Sequence, residues 1–390
     1  MWGQRRFSFV ARIGSRRTAH EKVVSDPISP PLPDADAPFA AGLRVTFGGV
    51  RHHGLLVLTP LGFSLLRHLA DGTFHSGEDL AASVGLTRAR VSQVLKDAEA
   101  SGLALERVKG LGYRLLEAPR FLDAKAVGAR LIGIGKEQGG PAPVVIEVVD
   151  QVDSTSSELM RRSQRKDIHG MALAAEWQTA GRGRRGRTWT AVVGGSLTFS
   201  LGWRFEQGAG FLAGLSLAAG VGVVRALEAE GFTGVALKWP NDIIHRHLKL
   251  GGILIELNGD ALGPSTTVIG IGLNVRLPEA VRKDIDSPVT DLTKIAGKKS
   301  SLVDRNRLLA RLLSELATVL EQYSNEGFAP FAAEWQHRHA YQGKPVRLLL
   351  PDGAVVHGKV AGVDASGALV LADGPRRARF LSGEISLRRA

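Results

Sequence analysis

The spacing of apolar residues changes twice along this chain of 390 residues, and those changes limit the folds that it can adopt. From residue 55 to 118, apolar residues recur at helical spacing and two short strand-like stretches follow. From 121 to 340, strand-like and helical segments alternate, whereas from 343 to 390 only short strands separated by turns remain. We therefore predict a multidomain α+β protein with three folded blocks.

The first block has the pattern of a helix-turn-helix followed by a β-wing. Its helices would begin at the capping residues Thr59, Ser76 and Thr87. The third helix carries an apolar stripe that would be buried, formed by Val91, Val94, Leu95 and Ala98. Leu103–Val108 and Gly112–Leu116 would form the two strands of the wing, with Lys109 at its tip.

The second block should form a mixed rather than a purely parallel sheet, because several predicted strands follow one another directly. Its strand-like segments are Val144–Val149, Met171–Glu176, Ser196–Leu201, Val235–Trp239, Gly251–Leu257 and Thr267–Val275. Its helical segments are Ser154–Arg162, Phe211–Glu230, Asp304–Tyr323 and Phe328–Arg338. The third block is typical of a small β-barrel, SH3-like in size, with strands Lys344–Leu350, Val355–Val363, Ala368–Leu371 and Arg377–Leu381.

Composition narrows the function classes and the compartment. Cysteine is absent, which excludes disulfides, thiolate zinc sites and cysteine nucleophiles, and favours a reducing cytoplasm. The net charge of +12 suggests a polyanionic partner such as DNA, RNA or nucleotide phosphates, although an Arg-rich composition that serves solubility is an equal alternative. No uninterrupted apolar stretch has the length that a membrane span needs.

Residues 1–54 are predicted to be a disordered leader, or sequence upstream of the true start codon. Met1–His20 is rich in Arg and has no acidic residue, which resembles a transit peptide, and Pro27–Pro38 is dense in Pro, Asp and Ala. Ser8 and Arg12 interrupt the apolar run Phe7–Ile13, so this run does not indicate a secretory signal.

The most specific string in the chain is Gly181–Trp189, which places four Arg among three Gly. Glycine lets backbone amides approach a ligand closely, and arginine offers a permanent planar charge suited to phosphate or carboxylate. An RGG-type RNA-binding tract or a solvated basic loop has a similar composition, but such tracts usually lie in disordered sequence. This string lies between two apolar predicted strands, which favours a ligand-binding loop.

Four further segments accompany this loop in a fixed order. They are Val152–Thr155, Lys238–Ile243, Lys249–Glu256 and Ile269–Val275. Singly, each has an ordinary explanation: a helix cap, a turn, a surface lysine before a buried strand, and glycine bulges. In this order, together with Gly181–Trp189, they resemble the biotin protein ligase family. Gly181–Trp189 has the form of that family's signature.

The resemblance covers about residues 55–390 and implies a class II synthetase-like central domain. Gly72–Leu80 is similar to the winged helix of the family's bifunctional ligase and biotin-operon repressor members, and Gly383–Arg388 matches their small C-terminal domain. The implied boundaries are 55–118 for a DNA-binding winged helix, 121–340 for the catalytic domain and 343–390 for the C-terminal domain.

The reaction implied by the resemblance joins biotin to ATP as biotinyl-5′-adenylate, then passes biotin to a lysine of the biotin carboxyl carrier domain of acetyl-CoA carboxylase. The catalytic candidates are Arg184, Lys249 and Asp242, the last as a base. The resemblance assigns biotin binding to Ser154, Thr155, Ser156, Gln178, Arg182, Gly183, Arg184 and Lys249. It assigns ATP or adenylate binding to Arg184, Arg187, Trp189, Asn241, Lys249 and Asn274, with Mg²⁺ bound through ATP and its protein ligands unknown. Ser156 departs from the family, which often has Asn at this position.

A second activity is implied for the first block, as a repressor of biotin synthesis genes. Its candidate DNA-binding residues are Thr87, Arg88, Arg90, Gln93, Lys96 and Lys109. The resemblance to the bifunctional members implies that bound adenylate orders loops around the site, of which Gly181–Arg187 would be one here. A homodimer would then form, and its two winged helices would meet a two-fold operator. The alternatives are a ligase whose winged helix does not bind DNA, and a regulator that senses biotin without catalysis. A lipoate ligase shares the broader fold, but the Arg/Gly loop favours biotin.

Overall fold

The first elements of the structure are three helices and a β-hairpin. The structure is a computed structural model that describes residues 58–100, 103–116, 119–138, 144–259, 262–297, 303–350, 353–381 and 386–389, all within one unit, Gly54–Ala390. These first elements are α1 (Pro60–His68), α2 (Gly77–Val84), α3 (Arg88–Ala100), β1 (Leu105–Val108) and β2 (Gly112–Leu115). The predicted leader, residues 1–54, lies outside the described residues.

The helix starts lie where the sequence places them, because the capping side chains satisfy free backbone amides. The Thr59 hydroxyl accepts a hydrogen bond from the Gly62 amide at 3.2 Å. Ser76 accepts one from the Asp79 amide at 3.0 Å. The predicted stripe of α3 is buried, as exposures of 0–5% for Val91, Val94, Leu95 and Ala98 confirm.

A seven-stranded sheet forms the centre of the molecule. Its strands are β3 (Val145–Val152), β4 (Met171–Gln178), β5 (Ser196–Phe205), β6 (Val235–Lys238), β7 (Asp242–His245), β8 (Leu248–Gly259) and β9 (Ser265–Asn274). Their order is β3-β4-β5-β9-β8-β7-β6. Only β3 and β4 pair in parallel and the other neighbours are antiparallel, which confirms the predicted mixed sheet.

Helices cover this sheet and supply most of the remaining core. They are α4 (Ala124–Gln138), α5 (Thr155–Ser163), α6 (Leu215–Ala229), α7 (Glu279–Lys283), α8 (Leu292–Ala296), α9 (Arg305–Glu326) and α10 (Ala332–Arg338). The sequence analysis did not predict α4, because Gly128, Gly133 and Gly135 interrupt its apolar spacing. It also did not predict β7, which is short and begins at a polar Asp.

One helical stretch qualifies a prediction made from the sequence. Ala209–Ala229 is long and apolar enough to cross a membrane by length and composition, although no uninterrupted span was expected. However, 72% of its most apolar window is buried inside the protein. Its apolar character is therefore explained by packing, since α6 lies in the core against α9 and the sheet.

The C-terminal segment is a five-stranded antiparallel sheet. Its strands are β10 (Pro345–Leu349), β11 (Val355–Val363), β12 (Leu369–Asp373), β13 (Arg376–Phe380) and β14 (Ser386–Arg389), in the order β13-β12-β11-β10-β14. The sequence reading found the first four and assigned no strand to Ser386–Arg389. Buried residues of this sheet, such as Val346 and Leu369, belong to the same apolar cluster as the central domain.

A buried ion pair fixes the connection that follows the hairpin. Glu176 of β4 and Arg305 of α9 are both almost fully buried and lie 2.8 Å apart. Arg305 also donates to the Arg120 carbonyl at 2.8 Å, and the Leu122 amide donates to Glu176. The first block is thus attached to the core by hydrogen bonds to its connecting backbone as well as by packing.

Candidate functional site

The Gly181–Trp189 loop connects β4 to β5 and folds back on itself. The Gly183 amide donates to the Arg187 carbonyl at 2.7 Å, and the Trp189 amide donates to the Gly181 carbonyl at 2.9 Å. A side chain at position 181 would place its Cβ 2.3 Å from the Trp189 carbonyl oxygen, so this close approach requires glycine. The loop is therefore a defined hairpin-like turn rather than an extended, solvated segment.

Positive charge accumulates in this loop. Arg184 is partly buried and donates to the Asn241 side-chain oxygen at 3.2 Å. Burial, together with the neighbouring charge of Arg185, holds the pKa of Arg184 below its ordinary value. Among the described residues, Arg185 and Arg187 have no hydrogen-bond or ion-pair partner for their side chains. An anion bound here would relieve an unfavourable concentration of like charge.

Arg182 points to the other side of the loop. Its guanidinium lies 2.9 Å from a carboxylate oxygen of Glu256 in β8 and donates to the Ser157 hydroxyl at 3.1 Å. These contacts attach the start of the loop to α5 and β8. Arg182 is thus already paired in this conformation, in contrast to Arg185 and Arg187.

Lys249 supplies a further cation, beside Asp242. Its ammonium nitrogen lies 2.7 Å from a carboxylate oxygen of Asp242, and Lys238 lies 3.7 Å from the other oxygen. The Lys249 backbone amide donates to the Pro288 carbonyl, and its carbonyl accepts from the Thr290 amide, each at 2.9 Å. Lys249 is therefore a strand residue fixed on both sides rather than a solvated surface lysine.

Asn241 and Asp242 bring the two cationic groups together. They are consecutive at the start of β7, where Asn241 accepts from Arg184 and Asp242 pairs with Lys249. The Asn241 amide nitrogen donates to the Ile253 carbonyl at 2.7 Å, which fixes the direction of its side-chain oxygen. One short segment thus positions both predicted catalytic cations.

Asn274 is placed behind Lys249. Its side-chain amide donates to the Thr290 carbonyl at 3.1 Å and is 3.5 Å from the Lys249 carbonyl. With an exposure of only 3%, it braces the backbone beside Lys249. The predicted nucleotide contact of Asn274 would therefore fall to its side-chain oxygen.

A buried polar cluster lies at the N-terminus of α5. The Thr155 amide and hydroxyl both contact the Gln178 side-chain oxygen, at 2.7 and 3.1 Å. Ser200 of β5 lies 2.8 Å from the Thr155 hydroxyl and 2.9 Å from that of Ser156. Ser154 caps α5 by accepting from the Ser157 amide at 3.4 Å. The four predicted biotin-pocket residues of this region are thus adjacent.

Ser200 was missed by the sequence reading, although the sequence contains a signal for it. Ser196, Thr198 and Ser200 alternate with apolar residues in β5, and all three are buried. Polar residues with a period of two in an otherwise apolar strand indicate one face directed at a polar interior.

Gly270 and Gly272 explain how the two parts of the site approach each other. A Cβ at 272 would lie 2.4 Å from the Trp189 ring, and one at 270 would lie 2.4 Å from the Ser156 hydroxyl. The pairing of β9 runs without a register shift on either side, which excludes the alternative explanation of these glycines as bulges. The buried Trp189 indole nitrogen has no hydrogen-bond partner among the described residues.

The polar face of α3 is the second candidate site. Thr87, Arg88, Arg90, Gln93, Lys96 and Lys109 are all exposed. Arg88 pairs with Glu78 at 2.8 Å, and Gln93 donates to Asp97 at 2.9 Å. The side chains of Arg90, Lys96 and Lys109 have no partner within the described part of the chain.

Comparison with known proteins identifies the family. The biotin/lipoate A/B protein ligase family profile matches residues 148–274, and the biotin protein ligase C-terminal domain profile matches residues 341–388. The bifunctional ligase/repressor BirA of Escherichia coli is 36% identical over 326 residues, which is 84% of this chain and 97% of that protein. This chain belongs to the biotin protein ligase family.

Other family members resemble this chain to a similar degree. The biotin–[acetyl-CoA-carboxylase] ligase of Mycobacterium tuberculosis is 37% identical over 273 residues, covering 68% of this chain and 95% of that protein. The solved biotin protein ligase from Aquifex aeolicus in complex with biotin and ATP is 32% identical, with a TM-score of 0.53, and covers 63% of this chain and 99% of that one.

The family match coincides with the geometric site. The first matched region, 148–274, contains the buried polar cluster, the Arg/Gly loop, Asn241, Asp242 and Lys249. The Thr290 backbone that braces Lys249 lies beyond it, and so does the polar face of α3. The alignment with the E. coli relative covers 84% of this chain and therefore extends into the N-terminal block.

Proposed function

We propose that this protein is a biotin protein ligase. The biotin carboxylate attacks the α-phosphorus of ATP, forming biotinyl-5′-adenylate and releasing pyrophosphate. The ε-amine of a lysine on a biotin carboxyl carrier domain then attacks the acyl carbon, forming the amide and releasing AMP. The observation that carries this proposal is the placement of Arg184 and Lys249 in one site by the consecutive residues Asn241 and Asp242.

The cations have a clear electrostatic task in the first step. A carboxylate and a phosphate repel each other, so preorganised positive groups must offset that repulsion in the transition state. Arg184 and Lys249 hold the biotin carboxylate and the α-phosphate, and Gly183 lines the same site. Arg182, which contacts Glu256 and Ser157, lies on the α5 side of the loop and contributes to biotin binding from there. The remaining nucleotide contacts come from Arg187, Trp189, Asn241 and Asn274.

The buried polar cluster suits the ureido ring of biotin. Its hydroxyl and amide groups can donate to the ureido oxygen and accept from the ureido N–H groups at the closed end of a pocket. We assign this role to Ser154, Thr155, Ser156 and Gln178. The Ser156–Ser200 hydrogen bond shows that serine at 156, where the family often has Asn, still joins the network.

Asp242 is the proposed base of the second step. An acceptor lysine has an ordinary pKa near 10.4, so it must lose a proton before it attacks. Asp242 is the carboxylate nearest to Lys249 and Lys238. With purified biotinyl-5′-adenylate as donor, Asp242→Asn should slow transfer to the carrier domain. An unchanged transfer rate would exclude this role.

We propose that Mg²⁺ enters the site together with ATP. Among the described residues there is no cluster of three or more His, Cys, Asp or Glu side chains that could hold a metal. Mg²⁺ commonly takes one or two carboxylates together with substrate phosphates, and Asp242 and Asn241 offer one carboxylate and one amide oxygen here. When bound, it would neutralise charge on the ATP phosphates.

The ligase proposal is tested by incorporation of labelled biotin into a purified carrier domain with ATP. Label in the carrier domain, abolished by Lys→Arg at its acceptor position, is the expected result. Absence of both incorporation and biotin-dependent pyrophosphate exchange would favour a non-catalytic biotin sensor.

We further propose that residues 55–118 form a winged helix-turn-helix and that the protein represses biotin synthesis genes. Arg90, Lys96 and Lys109, whose side chains have no partner among the described residues, lie on α3 and at the hairpin tip, the two elements that such domains present to DNA. Adenylate binding would promote a homodimer that matches a two-fold operator. The C-terminal sheet would be the SH3-like domain, and the protein would act in the cytoplasm.

The repressor proposal depends on a separate measurement. Retardation of the protein's own biotin-gene promoter DNA should strengthen when biotin and ATP are both present. If DNA mobility is the same with and without them, the protein is a ligase whose N-terminal block has another role.

A further inference from the structure

Trp239 connects the catalytic segment, Asn241 and Asp242, to the C-terminal sheet. It is fully buried and comes two residues before Asn241 and three before Asp242. Its indole N–H donates to the Gly367 carbonyl, between β11 and β12, at 3.1 Å. We propose that the C-terminal sheet positions the catalytic segment through this hydrogen bond, with Trp239 and Asp364 as positioning residues. The inference rests on the proposed ligase function.

The Gly367 carbonyl, which accepts this hydrogen bond, is held in place by a preorganised turn. The Asp364 carboxylate accepts from the Ser366 amide at 2.8 Å, from the Ser366 hydroxyl at 2.7 Å and from the Ala368 amide at 3.1 Å. Arg379 of β13 pairs with the same carboxylate. Gly367 has a φ of +79°, and a Cβ there would lie 2.9 Å from the Gly214 Cα, so the turn fits closely against the start of α6. The position of the Gly367 carbonyl is thus set by Asp364.

Contacts with the central domain also hold the backbone around Trp239. The Trp239 amide faces the His339 Nε2 at 3.5 Å, and the Ser216 hydroxyl donates to the Pro240 carbonyl at 3.1 Å. These contacts restrain the main chain, but neither involves the C-terminal sheet. The indole N–H is therefore the polar contact through which the C-terminal turn acts on this segment.

The consequence concerns the first chemical step. Asn241 and Asp242 direct Arg184 and Lys249, so a shift of this segment would misplace both cations relative to the reacting carboxylate and phosphate. The buried polar cluster at α5 lies on other elements and does not depend on Trp239. Loss of the indole bond should therefore lower kcat for adenylate formation, whereas the contacts of the buried polar cluster with the biotin ring should be retained.

The test compares two matched substitutions in the full chain. Trp239→Phe removes the indole N–H while keeping an aromatic ring. Trp203→Phe is the control, since Trp203 is also buried and its indole also donates a hydrogen bond, to the Ser324 hydroxyl at 3.3 Å, away from the catalytic segment. For Trp239→Phe we expect kcat for biotin-dependent pyrophosphate exchange to fall roughly three- to tenfold, the value of one hydrogen bond. Trp203→Phe should stay within about twofold of the unmodified protein.

A double-mutant cycle distinguishes positioning from a general packing loss. Asp364→Ala, in the turn rather than the core, should lower kcat in the same direction. Added to Trp239→Phe, it should have less than about twofold further effect, because both changes break one connection. Multiplicative effects, or equal kcat values for Trp239→Phe and Trp203→Phe, would overturn the inference alone. An unmodified protein without any exchange activity would overturn the proposed function and this inference together.

Discussion

The Gly181–Trp189 loop and helix α3 both present cationic side chains, but they hold them differently. At the loop, Arg184 and Lys249 are directed by Asn241 and Asp242 from a separate strand. On α3, Arg90 and Lys96 have no partner among the described residues, and their positions follow from helical spacing alone. The first arrangement suits a small anion that must be held in one geometry. The second suits an extended polyanion, for which approximate placement is sufficient.

The largest effect that would separate these two arrangements comes from Lys249. Lys249→Met should lower adenylate formation by about 10²–10³-fold, because a preorganised charge at the reacting phosphate is lost. Biotin-dependent pyrophosphate exchange measures this directly. Lys294→Met, at an exposed position of α8, is the control and should leave the rate unchanged. A loss of less than tenfold for Lys249→Met would mean that the site tolerates loose placement, as α3 does.

The corresponding test on α3 uses two neighbouring arginines. Arg90→Ala should weaken operator binding by about 1–3 kcal/mol if it reads a base, or lower the salt-dependence slope by about 1 if it contacts phosphate. Arg88→Ala should have the smaller effect, because Arg88 already pairs with Glu78. Gel retardation at several salt concentrations measures both, and biotin transfer should not change. Equal losses for the two variants would show that the Glu78 pair does not matter.

The two regions also differ in how far the sequence could predict them. For the N-terminal block, caps and apolar spacing are local, and they placed the helices correctly at Thr59 and Ser76. In the site, the motif strings identified Arg184 and Lys249, but their partners depend on strand pairing. The adjacency of Ser200 to Thr155 and Ser156, or of Thr290 to Lys249, joins segments that are far apart in the sequence.

The features that the sequence did not predict have physical reasons of the same kind. Helix α4 contains three glycines, which weaken a helical signal, so its formation depends on packing against α9 and β3. Gly270 and Gly272 are required because Ser156 and Trp189 pack against β9, a contact that no local pattern indicates. In both cases tertiary contacts, rather than local preference, decide the structure.

Acid should affect the central region before the N-terminal one. Burial lowers the pKa of His339 to about 3, whereas an unfolded histidine has a pKa near 6.5. Below pH 6.5 the unfolded chain therefore binds a proton that the folded protein does not. The resulting loss of stability grows as the pH falls toward 3 and reaches about 2 kcal/mol at pH 5.

Tryptophan fluorescence makes this measurement specific. Among the described residues, four of the five tryptophans lie in the central region, and the fifth, Trp177 of β4, packs against the apolar cluster of the N-terminal block. The signal therefore reports chiefly the central region. Chemical unfolding at pH 8 and pH 5 should show the decrease in the unmodified protein. In His339→Gln the decrease should be smaller by about 2 kcal/mol. The same pH dependence in both proteins would assign the acid effect to other groups.

The smallest effect concerns the contact between the two regions. Arg67 of α1 pairs with Asp150 of β3 and lies over the Phe121 ring, 4.6 Å from its centroid. Because this contact is partly exposed, Arg67→Ala should lower the free energy of unfolding by only about 1 kcal/mol or less. Adenylate formation should not change, since none of the site residues touches Arg67.

If the two regions communicate through this contact, the variant will lose part of the biotin- and ATP-dependent strengthening of DNA binding. If that strengthening is intact, communication must run through another route, such as the connection held by Glu176 and Arg305.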